Sequence, residues 1–109
     1  MQDSNTLNIN NLHAKIDSKE NFHFIDCREQ PEWKEAHIEG STLLPLSKFE
    51  FTYSNVLKDK NAQIIIQCRS GARSMNACMF LLSQGFTNLT NLRGGIIGWV
   101  QSGYPVKSE

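Results

Sequence analysis

The chain has 109 residues, with 11 Lys and Arg against 11 Asp and Glu and a formal net charge of +0. That length suits one domain with its own core, residues 1–109, and the balanced charge offers no global basic field for gathering nucleic acid. The polar opening Met1-Gln2-Asp3-Ser4-Asn5-Thr6 contains neither a basic leader nor an apolar run, so a cytoplasmic protein with no membrane partner is expected.

In chain order, Thr6-Leu7-Asn8-Ile9 alternates and reads as a short strand, after which Asn10 or Asn11 can cap a helix with Leu12 and Ile16 on one face. A polar turn at residues 17–21 leads into a strand over Phe22-His23-Phe24-Ile25-Asp26. Pro31 opens a short helix that Gly40 terminates, and Thr42-Leu43-Leu44 forms a third strand before Pro45. Residues 46–57 read as a helix with Phe49, Tyr53 and Val56 or Leu57 facing inward. Gln63-Ile64-Ile65-Ile66-Gln67 is β-branched and apolar enough for a strand buried on both faces. From Met75 to Gln84 the apolar residues Ala77, Cys78, Phe80, Leu81 and Leu82 recur at helical spacing, with Gly85 as the cap. Phe86 to Leu92 supplies a last strand, Gly94-Gly95 a turn, and Ile96 to Gln101 a final helix around Trp99. Strands alternating with helices imply an α/β fold with a parallel sheet covered on both faces, whose ligands bind beyond the strands' carboxyl ends.

Cys68 stands at such an end. Cys68-Arg69-Ser70-Gly71-Ala72-Arg73-Ser74 joins the buried strand to a helix, and Gly71 permits a tight turn between them. Backbone N–H groups in such a turn converge, the helix dipole adds partial positive charge, and Arg69 and Arg73 add two full charges. This environment lowers a thiol from its ordinary value of about 8.5, so a nucleophilic thiolate is expected at neutral pH. The other cysteines, Cys27 and Cys78, are not spaced for metal binding with Cys68, nor are His13, His23 and His37, and no metal or organic cofactor is expected.

Four segments together resemble the rhodanese (sulfurtransferase) family over nearly the whole chain. Ile25-Asp26-Cys27-Arg28 is similar to its I-D-x-R segment, and Ala36-His37-Ile38-Glu39-Gly40-Ser41 to its G-H-I-x-G-A segment, with Ala36 and Ser41 as departures. Cys68 to Ser74 resembles the active-site loop C-R-S-G-x-R-S; Leu92-Arg93-Gly94-Gly95, Trp99 and Gly103-Tyr104-Pro105 resemble the closing L-x-G-G…W…G-x-P pattern. The resemblance implies a five-stranded parallel sheet with helices on both faces, and a cysteine that takes a sulfane sulfur as a persulfide and passes it on. Thiosulfate would be the small anionic donor, and cyanide, a small thiol or a protein thiol the acceptor.

On this reading Cys68 is the catalytic nucleophile. Arg69, Ser70, Gly71, Ala72 and Arg73 bind substrate, while Asp26, Arg28 and Ser74 support the loop. Asp26 either accepts hydrogen bonds from the loop amides or Arg73, or caps a turn at its own strand end. Arg28 is expected to pair with Glu32 or Glu35, and His37, Trp33 and Trp99 to be structural. Cys27 and Cys78 read as core residues, able to act as resolving thiols only within a Cα separation of about 7 Å of Cys68. Two rivals stand beside the sulfurtransferase. One is a persulfide carrier or partner-binding module in sulfur trafficking. The other is a cysteine phosphatase or arsenate reductase, against which the Cys-x4-Arg spacing, one residue short of the phosphatase loop, argues.

Overall fold

A computed structural model describes residues 6–109. Five parallel strands form one sheet in the order β1-β5-β4-β2-β3, where β1 is Thr6–Leu7, β2 His23–Asp26, β3 Thr42–Leu43, β4 Ile64–Gln67 and β5 Leu89–Leu92. The triple isoleucine of β4 explains its central place: Ile64, Ile65 and Ile66 are all 0% exposed, and successive side chains enter opposite faces. Ile64 and Ile66 pack with α3 (Phe49–Thr52) and α4 (Ala72–Ser83) through Phe49, Ala77, Cys78 and Leu81. Ile65 packs on the other face with α1 (Ile9–Asp17) and α5 (Gly95–Gln101) through Leu12, Ile96 and Trp99. The expected five-stranded parallel sheet with helices on both faces is therefore present. None of the helices described is long and apolar enough to cross a membrane.

Local differences have local causes. Asn8, rather than Asn10 or Asn11, caps α1, its side chain accepting the Asn11 amide at 2.8 Å, and the strand before it ends at Leu7. A short helix, α2 (Gln30–Glu35), carries Pro31 in its first turn and stops well before Gly40. The single helix expected over 46–57 is broken into a 3-10 turn at Leu46–Lys48, α3, and a second 3-10 turn at Tyr53–Asn55. Thr52 returns its hydroxyl to the Lys48 carbonyl at 3.0 Å, a side-chain bond that competes with helix continuation. Phe49 and Leu57 are nevertheless buried as expected. In α4, Leu82 is 63% exposed, so the apolar stripe is narrower than the sequence pattern suggested.

β3 lies outside β2 and β5 outside β4, so the chain winds in opposite directions from the central β2/β4 pair. A crevice at the carboxyl ends of such a pair is where ligands bind in open parallel sheets. Asp26 faces Gln67 in register, and the next residues of the two chains are Cys27 and Cys68.

Candidate active site

Cys68 follows the last residue of β4 and is 1% exposed. The chain then folds back over its sulfur. Gly71, at φ +117°, makes the left-handed turn that an L side chain resists, and its amide donates to Cys68 Sγ at 3.1 Å. α4 begins at the next residue, earlier than the expected Met75, which places Arg73 and Ser74 in its first turn. Ser74 is buried with its hydroxyl 3.4 Å from Sγ. That hydroxyl also meets the Gly71 carbonyl at 3.1 Å and Asn91 Oδ1. One proton thus faces three acceptors. Asn91, buried on β5, donates in turn to the Gly71 carbonyl at 3.2 Å and ties the loop to the sheet.

The outer side of the loop is held by the start of α5. Ile96 donates its amide to the Cys68 carbonyl at 2.9 Å, and Ile97 to the Arg69 carbonyl at 3.1 Å. With the carbonyls engaged there, the loop keeps the path on which the Gly71 and Ser74 amides meet the sulfur. Such an approach of main chain to main chain requires a residue without Cβ. A Cβ on Gly95 would lie 2.4 Å from the Cys68 carbonyl oxygen and 2.5 Å from that of Arg69, and φ there is +56°.

The Cys68 thiol is lowered to about 4. The foremost cause is the Cys27 thiol, which acts as a hydrogen-bond donor to the ionised sulfur. Burial opposes ionisation, and the Ser74 hydroxyl with the Ser74 and Gly71 amides adds to the lowering. Cys27 responds in the opposite sense: donation to Cys68, burial and the neighbouring negative charges of Cys68 and Asp26 keep it firmly protonated. Cys27 is a core residue as expected, and its place in the sheet also brings it to Cys68. Its burial is complete, and β2 lies beside β4 and sets the two cysteines side by side. Burial alone raises Cys78 to about 12, and it remains a core thiol on α4.

Arg73 does not point freely into the loop. Its guanidinium is committed to Glu32 on α2 through bonds of 2.8 Å to each carboxylate oxygen. Arg73, expected with Arg69 among the substrate-binding residues, is thus paired with a carboxylate where Arg69 is not. Glu32 also accepts the Glu29 amide at 3.0 Å as part of the α2 capping box. The Arg73 pairing holds the Glu32 carboxyl down to about 2. Arg69 is exposed, and among the described residues its side chain has no ion-pair or hydrogen-bond partner. Ser70 and Ala72 are exposed on the loop's outer surface.

Asp26 and Arg28 are brought to each other rather than to the loop. Asp26 accepts the Arg28 amide at 3.0 Å and its guanidinium at 2.8 Å, and both residues are buried. Of the two roles open to Asp26, this is the turn cap. The expected pairing of Arg28 with the Glu32 or Glu35 carboxylate is corrected: the guanidinium, already paired with Asp26, reaches the Ala36 carbonyl at 2.6 Å and the Glu32 carbonyl at 3.4 Å. His37 stacks on Trp33 at 3.7 Å and bonds its carbonyl through Nδ1, while Trp99 donates to the Pro105 carbonyl. Beside the loop opens a groove of about 340 Å³ lined by Arg69, Arg28 and Glu35, with Ile96, Ile97 and Val100 of α5 as its apolar wall. Among the described residues, no group of three His, Cys, Asp or Glu side chains is placed to hold a metal ion.

Sequence reasoning missed Asn91, and although it named Cys27, Glu32 and Gly95 it did not set them against the loop. Asn91 carried little signal, because β5 reads Leu89-Thr90-Asn91-Leu92 with two polar residues of four, and Gly95 was read as a turn and as part of the closing motif. Comparison with known proteins agrees with the geometry. A sulfurtransferase of Allochromatium vinosum is 34% identical over 94% of this chain and 94% of its own length. A thiosulfate sulfurtransferase of Arabidopsis thaliana is 25% identical over 88% of this chain and 79% of its own length. The crystal structure of a rhodanese-related protein from Thermoplasma volcanium superimposes with a TM-score of 0.82 at 28% identity, covering 95% of this chain and 98% of that one. The family description Rhodanese-like domain matches residues 9–102, and with a cysteine loop closed between β4 and α4 in the same span, the chain belongs to the rhodanese-like domain family.

Proposed function

We propose that this protein is a thiosulfate-type sulfurtransferase that carries a sulfane sulfur as a persulfide on Cys68. The observation that carries the reading is the buried Cys68 sulfur, held ionised by the Cys27 thiol first, then by the Ser74 hydroxyl and the Ser74 and Gly71 amides, the last at 3.1 Å. The thiolate attacks the outer sulfur of thiosulfate, the S–S bond to the sulfonate breaks, and sulfite leaves with the electron pair. Charge is conserved, since a thiolate and a dianion become a persulfide anion and sulfite. The donors that held the thiolate would receive the charge of the persulfide, and a thiolate already ionised needs no general base. Cyanide or a thiolate then attacks the terminal sulfur and returns Cys68 to its starting state.

Arg69 is the group suited to receiving the donor, because its charge is exposed and unpaired at the rim of the groove. Its partner in the sequence reading, Arg73, acts at one remove by fixing the loop through Glu32. That commitment also speaks against the phosphatase reading, in which the loop arginine must be free to grip phosphate. A second reading, delivery of the persulfide to a protein thiol, is favoured by the groove beside Arg69, whose Ile97 and Val100 wall suits a peptide better than a small anion.

Incubation with thiosulfate followed by intact-mass measurement tests the reading. A gain of one sulfur atom on Cys68, removed by cyanide as thiocyanate and absent in Cys68→Ser, is expected. Absence of any gain with thiosulfate would refute the donor, and transfer that survives Cys68→Ser would refute the nucleophile.

A further inference from the structure

The second cysteine at the floor of the site has no task in sulfur transfer other than donation to Cys68. β2 and β4 are hydrogen-bonded neighbours with Asp26 opposite Gln67, and the Cys27 amide donates to the Gln67 carbonyl at 3.0 Å. The pairing therefore continues one residue past the strands, to Cys27 and Cys68. Adjacent strands stand about 4.8 Å apart, inside the Cα window of about 4.4–6.8 Å that a disulfide requires. Alternation along the strands sends both side chains to one face of the sheet, where Cys27 and Cys68 share a single apolar cluster. Both are almost wholly shielded from solvent, at 0% and 1% exposure.

We propose that Cys27 is a resolving thiol for Cys68, closing a Cys27–Cys68 disulfide after a peroxide has oxidised the nucleophile. In the first step the Cys68 thiolate attacks a peroxide oxygen. An S–O bond forms, the O–O bond breaks, the sulfur is oxidised by two electrons and the peroxide is reduced to water or an alcohol. In the second step the Cys27 sulfur attacks the sulfenic acid. The S–O bond breaks, hydroxide departs with the Cys27 proton as water, and the S–S bond forms. A dithiol reductant reverses the second step by exchange, returning both cysteines as thiols. Peroxide is small enough to use the opening that the sulfur donor must use. The partner lies behind Cys68 within the fold, so closure competes with further oxidation to the sulfinic acid without any large movement. Cys78 shares that cluster but lies on α4 rather than on a strand paired with β4, and no hydrogen bond or charge interaction joins its sulfur to that of Cys68.

The inference rests on Cys68 being the reactive thiolate, but not on the identity of the sulfur donor or acceptor. Native protein is treated with hydrogen peroxide, trapped in acid and analysed by intact mass and non-reducing peptide mapping. A loss of two hydrogen atoms, a peptide joining residues 27 and 68, and recovery of reactivity with dithiothreitol are expected, unchanged in Cys78→Ser. In Cys27→Ala, Cys68 should instead gain two or three oxygens that dithiothreitol does not remove. Native wild-type protein in which Cys68 gains oxygens without the cross-link, or in which the bond forms to Cys78, would overturn the proposal whether or not the variant folds. A parallel sample treated with iodoacetamide at neutral pH separates the two levels. Labelled Cys68 without a cross-link removes only the resolving role, whereas unlabelled Cys68 removes the thiolate reading and this inference together.

Discussion

Arg73 and Glu32, 41 residues apart in sequence, meet through two hydrogen bonds of 2.8 Å that fasten the first turn of α4 to the first turn of α2. A planar guanidinium matched to both oxygens of one carboxylate fixes orientation as well as distance. The loop's second arginine is thereby a strut. Its charge acts on Cys68 from that fixed position.

Arg73→Ala and Glu32→Gln should act alike. Each removes the strut, and each should lower kcat for sulfur transfer by about tenfold, equivalent to about 1.4 kcal/mol of transition-state stabilisation. Arg73→Lys should rescue poorly, because an ammonium cannot make the paired contact. Single-turnover discharge of preformed persulfide by cyanide measures the effect without the donor. Full discharge rates in both variants would refute the strut.

Arg69→Ala should raise the thiosulfate KM and flatten its dependence on ionic strength while leaving discharge of preformed persulfide intact. An exposed charge steering a dianion is screened by salt, with a Debye length of about 10 Å at 0.1 M. Arg69→Lys should restore most of the loss, since only charge is asked of it. Steady-state kinetics over a salt series decides the matter; a kcat effect with unchanged KM would contradict it.

Cys27→Ala should move the midpoint of Cys68 alkylation upward from about 4, and Cys27→Ser, which still offers a donor, should move it less. A shift of one unit corresponds to about 1.4 kcal/mol. Iodoacetamide rates followed from pH 3 to pH 8 give the midpoint. The wild-type linkage follows in sign: a folded-state value below the unfolded one of about 8.5 stabilises the fold fully above pH 8.5. That contribution shrinks as pH falls and is gone below about pH 4. Denaturant titrations of wild type against Cys68→Ala should converge in that direction. Glu32 adds a second, lower window. Its contribution is complete above the ordinary carboxylate value of about 4.3 and is lost as pH falls toward about 2.

Gly95→Ala should unfold the site from outside. The added methyl would meet two carbonyl oxygens of the loop at 2.4 and 2.5 Å, and neither is a flexible side-chain end. A loss of about 3 kcal/mol in stability, with activity lost at temperatures where the variant stays folded, is expected. Gly103→Ala supplies the contrast: φ is +88° there but the space is open, so only the backbone cost of about 1–2 kcal/mol applies. Equal destabilisation in the two variants would show that conformation rather than contact matters at Gly95.

Much of the site was legible because its chemistry is local. Cys68, Gly71, Ser74 and both arginines fall within seven residues between a buried strand and a helix, and strand end plus turn plus helix start is a pattern that sequence displays. What sequence does not display is strand order. Only once β2 stands beside β4, and β5 on its other side, do Cys27 and Asn91 arrive at the loop. Glu32 was visible as a carboxylate, but Arg28 and Arg73 compete for it. The competition is decided by Asp26, which takes the Arg28 guanidinium first. The broken helix over 46–57 was hidden for a different reason. Its inward spacing is helical, and the Thr52 hydroxyl that competes for the Lys48 carbonyl leaves that spacing unchanged.

Main-chain amides of Gly71 and Ser74 contribute to holding the sulfur, whereas side chains on α5 wall the groove beside it, and these two materials respond differently to change. An amide of Gly71 or Ser74 persists through any substitution that keeps the backbone path. A wall made by Ile97, Val100 and Gln101 is redrawn by a single codon. Reactivity and partner choice are therefore separable by design. A library confined to those three positions would sample new sulfur acceptors while the acidity of Cys68 serves as its internal control, so a variant with an unaltered alkylation midpoint and a new acceptor has changed its clientele alone.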